Sequence, residues 1–106
     1  MRRVLLDHCV PRPFRSQLAG CMVSTAAEMG WSQFKNGDLL DAAENAGFEV
    51  LITADKGLRY QQNMASRKVA IIELPTNRLR HVIHYAAQVN AVVPTIAAGA
   101  YEVIPF

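Results

Sequence analysis

The sequence predicts an α/β fold: a three-layer sandwich built on a mainly parallel central sheet. Short runs of Val, Leu and Ile (Val4–Leu6, Val50–Thr53, Val69–Leu74) are bounded by polar residues, as in strands buried on both faces. Segments of helical periodicity separate these runs, in the alternation that parallel crossovers require. Two of the runs lead into an aspartate, Asp7 after the first and Asp55 after Thr53-Ala54. Ligands of open α/β sheets gather beyond the carboxyl ends of the strands, so chemistry is expected at that rim.

Val4–Leu6 reads as the first strand. Pro11 and Pro13 suit the opening of a helix, where a missing N–H does no harm, with Phe14 and Leu18 facing inward and Gly20 as the stop. Met22–Thr25 is a short second strand, supported by Val23 and Thr25. Ala26–Met29 makes a helical turn ending at Gly30, and Trp31–Gly37 a polar loop with two exposed aromatics, Trp31 and Phe34.

Asp38–Ala46 is the clearest helix. Leu39, Leu40, Ala42, Ala43 and Ala46 form one apolar face, and Gly47 ends it. Asp38 fits the N-cap, and Asp41 three residues on completes an approximate capping box. Val50–Thr53 follows as a buried strand, Gly57–Asn63 as a short helix or turn, and Val69–Leu74 as another strand. Pro75-Thr76-Asn77 breaks that strand, with Thr76 or Asn77 placed to cap a helix over Arg78–Val92. Leu79, Val82, Ile83, Ala86 and Val89 share one side of this helix, and Tyr101–Ile104 is a final strand.

A chain of 106 residues without repeats, low-complexity segments or linkers fits a single domain, residues 1–106. The net charge of +2 neither announces nor excludes a nucleic-acid partner. Cys9 and Cys21 are too few for a disulfide framework or a cysteine-rich zinc site. No signal peptide follows Met1, so the plain reading is a reduced cytoplasmic protein. No apolar stretch approaches membrane-spanning length, since Pro94 and polar residues interrupt the alanine-rich end.

Asp7 and Asp55 would share one rim, and a right-handed crossover starts the Asp38 helix from that rim too. Two carboxylates about 4–5 Å apart repel by roughly 4 kcal/mol at an effective dielectric near 20. Such a group invites a shared proton or a hard cation, and three carboxylates can hold Mg2+ or Mn2+ with water and phosphate completing the shell. Each acid also has a structural explanation: Asp38 as a cap, Asp7 as a cap of the following helix, and Asp55-Lys56-Gly57 as a turn. His8 and Cys9 suggest zinc with His81 and His84, yet nothing brings that helix to the first strand's rim. Cys9 reads instead as a small buried residue, and His8 as a phosphate contact or a neighbour that tunes a carboxylate.

The blocks Val4-Leu5-Leu6-Asp7, Asn36-Gly37-Asp38-Leu39-Leu40 with Ala42-Ala43, and Val50-Leu51-Ile52-Thr53-Ala54-Asp55 resemble those of the short PIN-like proteins. These are relatives of the PIN nucleases, which include the VapC toxins. The resemblance continues through Leu58–Asn63 and Leu74–Arg78 and so covers most of the chain. It implies a PIN-like sandwich and Mg2+- or Mn2+-dependent cleavage of single-stranded RNA, with Asp7, Asp38 and Asp55 as catalytic metal ligands. The chain departs from the pattern in two places. A further acid of the longer PIN nucleases is missing, with Glu28 the nearby accessory candidate, and Asp7-His8-Cys9 stands where the short relatives often have Asp-Glu-Asn.

On the substrate side, Arg12, Arg15, Lys35, Lys56, Arg59 and Tyr60 follow the rim elements closely enough to meet an RNA backbone, with Tyr60 or Trp31 available for stacking. Arg78 and Arg80 open the long helix, where cations oppose the helix dipole, which points to a partner nearby. The leading expectation is a metal-dependent endoribonuclease, the toxin of a toxin–antitoxin pair. The alternative is a PIN-like module with a degenerate acidic site that binds a protein or RNA. A phosphatase using Asp7 as nucleophile would need an Asp-x-Asp pair, whose second position is Cys9. Trp31, Phe34 and the alanine-rich end could serve an antitoxin or homodimer interface.

Overall fold

The structure is a computed structural model that describes residues 1–58 and 64–105. Its strands are β1 (Arg2–Leu6), β2 (Cys21–Thr25), β3 (Val50–Thr53), β4 (Ala70–Glu73) and β5 (Tyr101–Val103). They form one sheet in the order β2-β1-β3-β4-β5, and every neighbouring pair is parallel. The α/β fold with a parallel central sheet is therefore what the chain adopts.

Strand alternation divides the apolar residues between two cores. Val4, Leu6, Val50, Ile52, Ala70 and Ile72 join one cluster, while Leu5, Leu51 and Ile71 join the other. All but Leu51, at 1%, are completely inaccessible. At about 1.5–3 kcal/mol for each fully buried large side chain, these residues account for much of the drive to fold.

The second cluster packs under α1 (Asn36–Asn45) through Leu39, Leu40 and Ala43. This helix starts two residues earlier than expected. Lys35 occupies the cap position without a side-chain cap bond, and Asp38 lies in the first turn, where a carboxylate still complements the helix dipole. The C-terminus is as expected: Gly47 has φ +85°, its N–H donates to Glu44 O, and Phe48 N donates to Ala43 O, closing a Schellman motif. The Arg3 guanidinium donates to Ala46 O, and Glu49 N donates to Arg3 O. Those bonds fix the end of α1 at the amino rim of the sheet and direct its first turn toward the carboxyl rim. Trp31 is half-buried rather than exposed, stacked on Phe34 and edge-on to Phe48, while Phe34 keeps 37% of its surface.

The opposite face is covered by less regular elements. Arg12–Gln17 is a 3-10 helix that buries Phe14. The segment expected as one helix is α2 (Leu79–Val82), a 3-10 turn (Ile83–Tyr85) and α3 (Ala86–Val92). Val82, Ala86, Val89 and Val93 face the core, whereas Leu79 and Ile83 stay 41% and 39% exposed. Four residues at i, i+4, i+7 and i+11 already fill the interface, and Leu79 and Ile83 lie one row to its side. Arg78 takes the cap position; the Thr76 hydroxyl accepts from Arg78 N (3.2 Å) in a local turn and does not cap the helix. The expectation for Gly57–Asn63 falls largely outside the described residues. Among the described residues no helix is long and apolar enough to cross a membrane.

Candidate functional site

Asp7 is the first residue past β1, and sheet pairing continues through it: its N–H donates to Ile52 O (2.9 Å). Its carbonyl accepts from Val10 N (3.0 Å), which turns the chain sharply toward the Arg12–Gln17 helix. The side chain is thereby held at the carboxyl rim and is only 5% exposed. A buried carboxylate needs partners, and three are present. His8 N donates to Oδ1 (2.7 Å), the His8 ring Nδ1 lies 2.8 Å from the same oxygen, and the Thr53 hydroxyl donates to Oδ2 (2.8 Å). With an acceptor opposite, Nδ1 carries the His8 ring proton.

Thr53 ends β3, the strand next to β1, and is fully buried. Its hydroxyl also accepts from Asp55 N (3.0 Å), so one buried side chain joins the two acidic positions. The Asp55 Oδ1 accepts from Gly57 N (2.9 Å), a turn that fixes this carboxylate just beyond β3. Asp7 and Asp55 therefore both stand just past the carboxyl ends of adjacent strands, linked through Thr53 to the Asp7 carboxylate and the Asp55 backbone.

Cys9 completes this neighbourhood. Ala54 N donates to its sulfur (3.4 Å), and the sulfur lies 3.7 Å from Thr53 Oγ1. Burial first, and then the Asp7 charge, push the thiol above its ordinary pKa, so it stays protonated; a hydrogen bond toward Asp7 acts in the same direction. Beside these residues opens a cavity of about 240 Å³, lined by Asp7, His8, Cys9, Val10, Pro11 and Arg12, with Thr25 and Ala27 across from them.

The remaining sequence candidates take other places. Asp38 is exposed in the first turn of α1, and among the described residues no group of three or more His, Cys, Asp or Glu side chains could hold a metal ion. Glu28 has a structural task. Its Oε1 accepts from Thr25 N (2.9 Å) while Glu28 N donates to Thr25 Oγ1 (3.1 Å), a reciprocal capping box over the turn after β2. The Thr25 amide, with Arg15 and Arg12 behind it, holds this carboxyl below its usual range. Arg15 is committed to Glu28 (2.8 Å) and to Val23 O (3.4 Å). Arg12 lines the cavity, and Lys35 and Lys56 are exposed. Arg59 and Tyr60 lie outside the described residues.

Sequence reasoning missed one acid. Glu73 ends β4, pairs in register with Thr53, is 5% exposed and accepts from Tyr101 Oη (2.7 Å). The signal that could have found it is a third apolar run ending in an acid, Ile71-Ile72-Glu73.

The donor set fits one hard cation in part. A carboxylate has about four acceptor positions; three on Asp7 are in use, and the thiol of Cys9 competes for the last. Asp55 has one oxygen engaged in its turn. Mg2+ commonly takes one or two carboxylates and completes its shell with water and substrate phosphate; an ion at this rim would draw on the Asp55 oxygen outside the turn, and on Asp7 only by displacing a donor it already has. Comparison with protein families, curated proteins and solved structures found no match to this chain.

Proposed function

We propose that the protein is a PIN-like RNA phosphodiester hydrolase of the reduced cytoplasm, assisted by Mg2+ or Mn2+ and acting as the toxin of a toxin–antitoxin pair. The observation that carries this reading is the buried Thr53 hydroxyl, which donates to Asp7 and accepts from Asp55 N at the ends of neighbouring parallel strands. In this reading Asp7 and Asp55 would hold the ion, which would supply an acidified water and neutralise charge on the scissile phosphate.

The protein's own residues do the positioning. Thr53 fixes the Oδ2 side of Asp7, and His8 fixes the Oδ1 side. Arg12, on the cavity wall, meets the phosphate with a guanidinium fork suited to two of its oxygens. The test is cleavage of a fluorescent RNA oligonucleotide with Mn2+ by the parent, Asp7→Asn and Asp55→Asn. Each variant is expected to lose about 100-fold or more in kcat while keeping a cooperative melt. Variants that cut as well as the parent would overturn the assignment.

The saturation of Asp7 favours a second reading, a module that binds RNA or a partner protein without cutting. It requires that the parent show no metal-dependent cleavage at all, yet retain its ligand.

A further inference from the structure

The described arginines divide into two groups. Arg2 pairs with Glu49 and donates to Ile96 O; Arg3 donates to Ala46 O and covers the Phe48 ring. Arg15 holds Glu28, and Arg67 holds Asp41 and Glu44. Arg12, Arg78 and Arg80 make no side-chain hydrogen bond or ion pair among the described residues, and Arg12 acts on Glu28 only at a distance. All three are exposed.

These three lie in neighbouring elements. Arg12 opens the 3-10 helix that leaves β1 at the carboxyl rim, and Arg78 and Arg80 stand at the start of α2, which packs against that helix. His81 and His84 are exposed on the same segment, and no Asp or Glu occurs between Glu73 and Glu102 to neutralise it. Exposed cations thus stand on two elements packed together, one of them, Arg12, at the cavity wall.

We infer that Arg12, Arg78 and Arg80 form a binding track for the phosphate backbone of single-stranded RNA, leading into the Asp7 cavity. The inference rests on the proposed RNA substrate and extends it to a surface that the acids do not touch. A polyanion with charge repeated along its length fits such a track, and each guanidinium can fork onto one phosphate. The exposed Leu79 and Ile83 give room for a base. They are too short a stripe for an amphipathic acidic helix, which needs anchors continuing to i+7.

The experiment is fluorescence anisotropy with a short fluorescein-labelled oligouridylate in EDTA, where metal-dependent cutting is silent. Arg78→Gln/Arg80→Gln is expected to bind about fivefold to tenfold more weakly, with the slope of log K against log salt shallower by about 0.7 for each phosphate left without its guanidinium. Lys68→Gln, exposed beside Glu44 at the amino rim, removes charge away from the track and is expected to bind as the parent does. Arg78→Lys/Arg80→Lys should recover most of the affinity, which separates lost charge from lost structure. Equal affinity in parent and double Gln variant, or equal losses in the double Gln and Lys68 variants, would overturn the inference. So would a parent that ignores the oligonucleotide and binds a polyglutamate peptide instead. Tight, track-dependent binding without cleavage in Mn2+ would leave the track standing and sink the hydrolase reading; cleavage with unaltered kcat/KM in the double Gln variant would do the reverse.

Discussion

The two faces of the sheet handle charge in opposite ways. On one face α1 carries Asp38, Asp41 and Glu44, and the last two are bound by Arg67. Glu44 also accepts from the Lys68 and Val69 amides, tying the helix to the chain entering β4. On the other face α2 and its 3-10 extension carry Arg78, Arg80, His81 and His84 with no acid on the segment. Asp41 and Glu44 are spent on holding elements together, whereas Arg78 and Arg80 make no ion pair among the described residues. Between the faces, at the carboxyl rim, Asp7 is buried yet belongs to neither pattern: its partners are a neighbour's ring and amide and a threonine hydroxyl. The difference separates charge that stabilises from charge that acts.

Substitutions can break or sharpen that contrast. The largest effect is expected at the rim. Thr53→Val removes the hydroxyl between Asp7 and Asp55 and should lower RNA cleavage by about 100-fold, with about 1–3 kcal/mol of stability lost because Asp7 keeps its burial and loses a donor. Chemical denaturation beside single-turnover cleavage reads both. On the α1 face, Glu44→Ala strands two amides and leaves Arg67 with Asp41 but without Glu44, and should cost about 1–3 kcal/mol in urea melts without altering cleavage.

The pH dependence of that difference has a definite sign. Burial pushes the Glu44 carboxyl up, but the Lys68 and Val69 amides and Arg67 outweigh it, so its folded pKa lies below the ordinary 4.5. Its contribution is present above 4.5 and is lost as the pH falls through the lowered folded value. Parent and Glu44→Ala melts should therefore converge in acid, and a gap that persists there would discount the carboxylate.

On the second face, Val82→Ala should cost about 1–3 kcal/mol because Val82 is fully buried, while Leu79→Ala should cost under about 0.5 kcal/mol. Equal losses would mean that the helix presents another side to the core. The smallest effect is expected at Cys9. Removing its protonated thiol leaves the last acceptor position of Asp7 open, so Cys9→Ala should bind Mn2+ a few-fold more tightly in a calorimetric titration.

Much of this was legible in residue patterns. Unbroken Val, Leu and Ile runs located β1 and β3, and Gly47 located the end of α1 at a positive φ that glycine accepts freely. Parallel pairing of β1 and β3 puts the residues that follow them, Asp7 and Asp55, past the same end of the sheet. What was not legible depends on packing between distant segments. Phe34 and Phe48 cover part of Trp31, and the Arg78–Val92 segment turns Leu79 and Ile83 outward because Val82, Ala86, Val89 and Val93 already fill the interface. Asp38 read as part of a three-acid group because its helix starts toward the same rim, but among the described residues no three such side chains gather to hold a metal ion. The roles of Glu28 and Glu73 required partners, Thr25 and Tyr101, that spacing does not reveal.

The most direct measurement is isothermal calorimetry of Mn2+ binding to the parent and to Asp55→Asn under identical conditions. The parent should take up one ion, and Asp55→Asn should bind at least about tenfold more weakly because one of only two carboxylate ligands is gone. A parent that binds no Mn2+, or an Asp55→Asn variant that binds it equally well, would contradict a metal-assisted site joining Asp7 and Asp55.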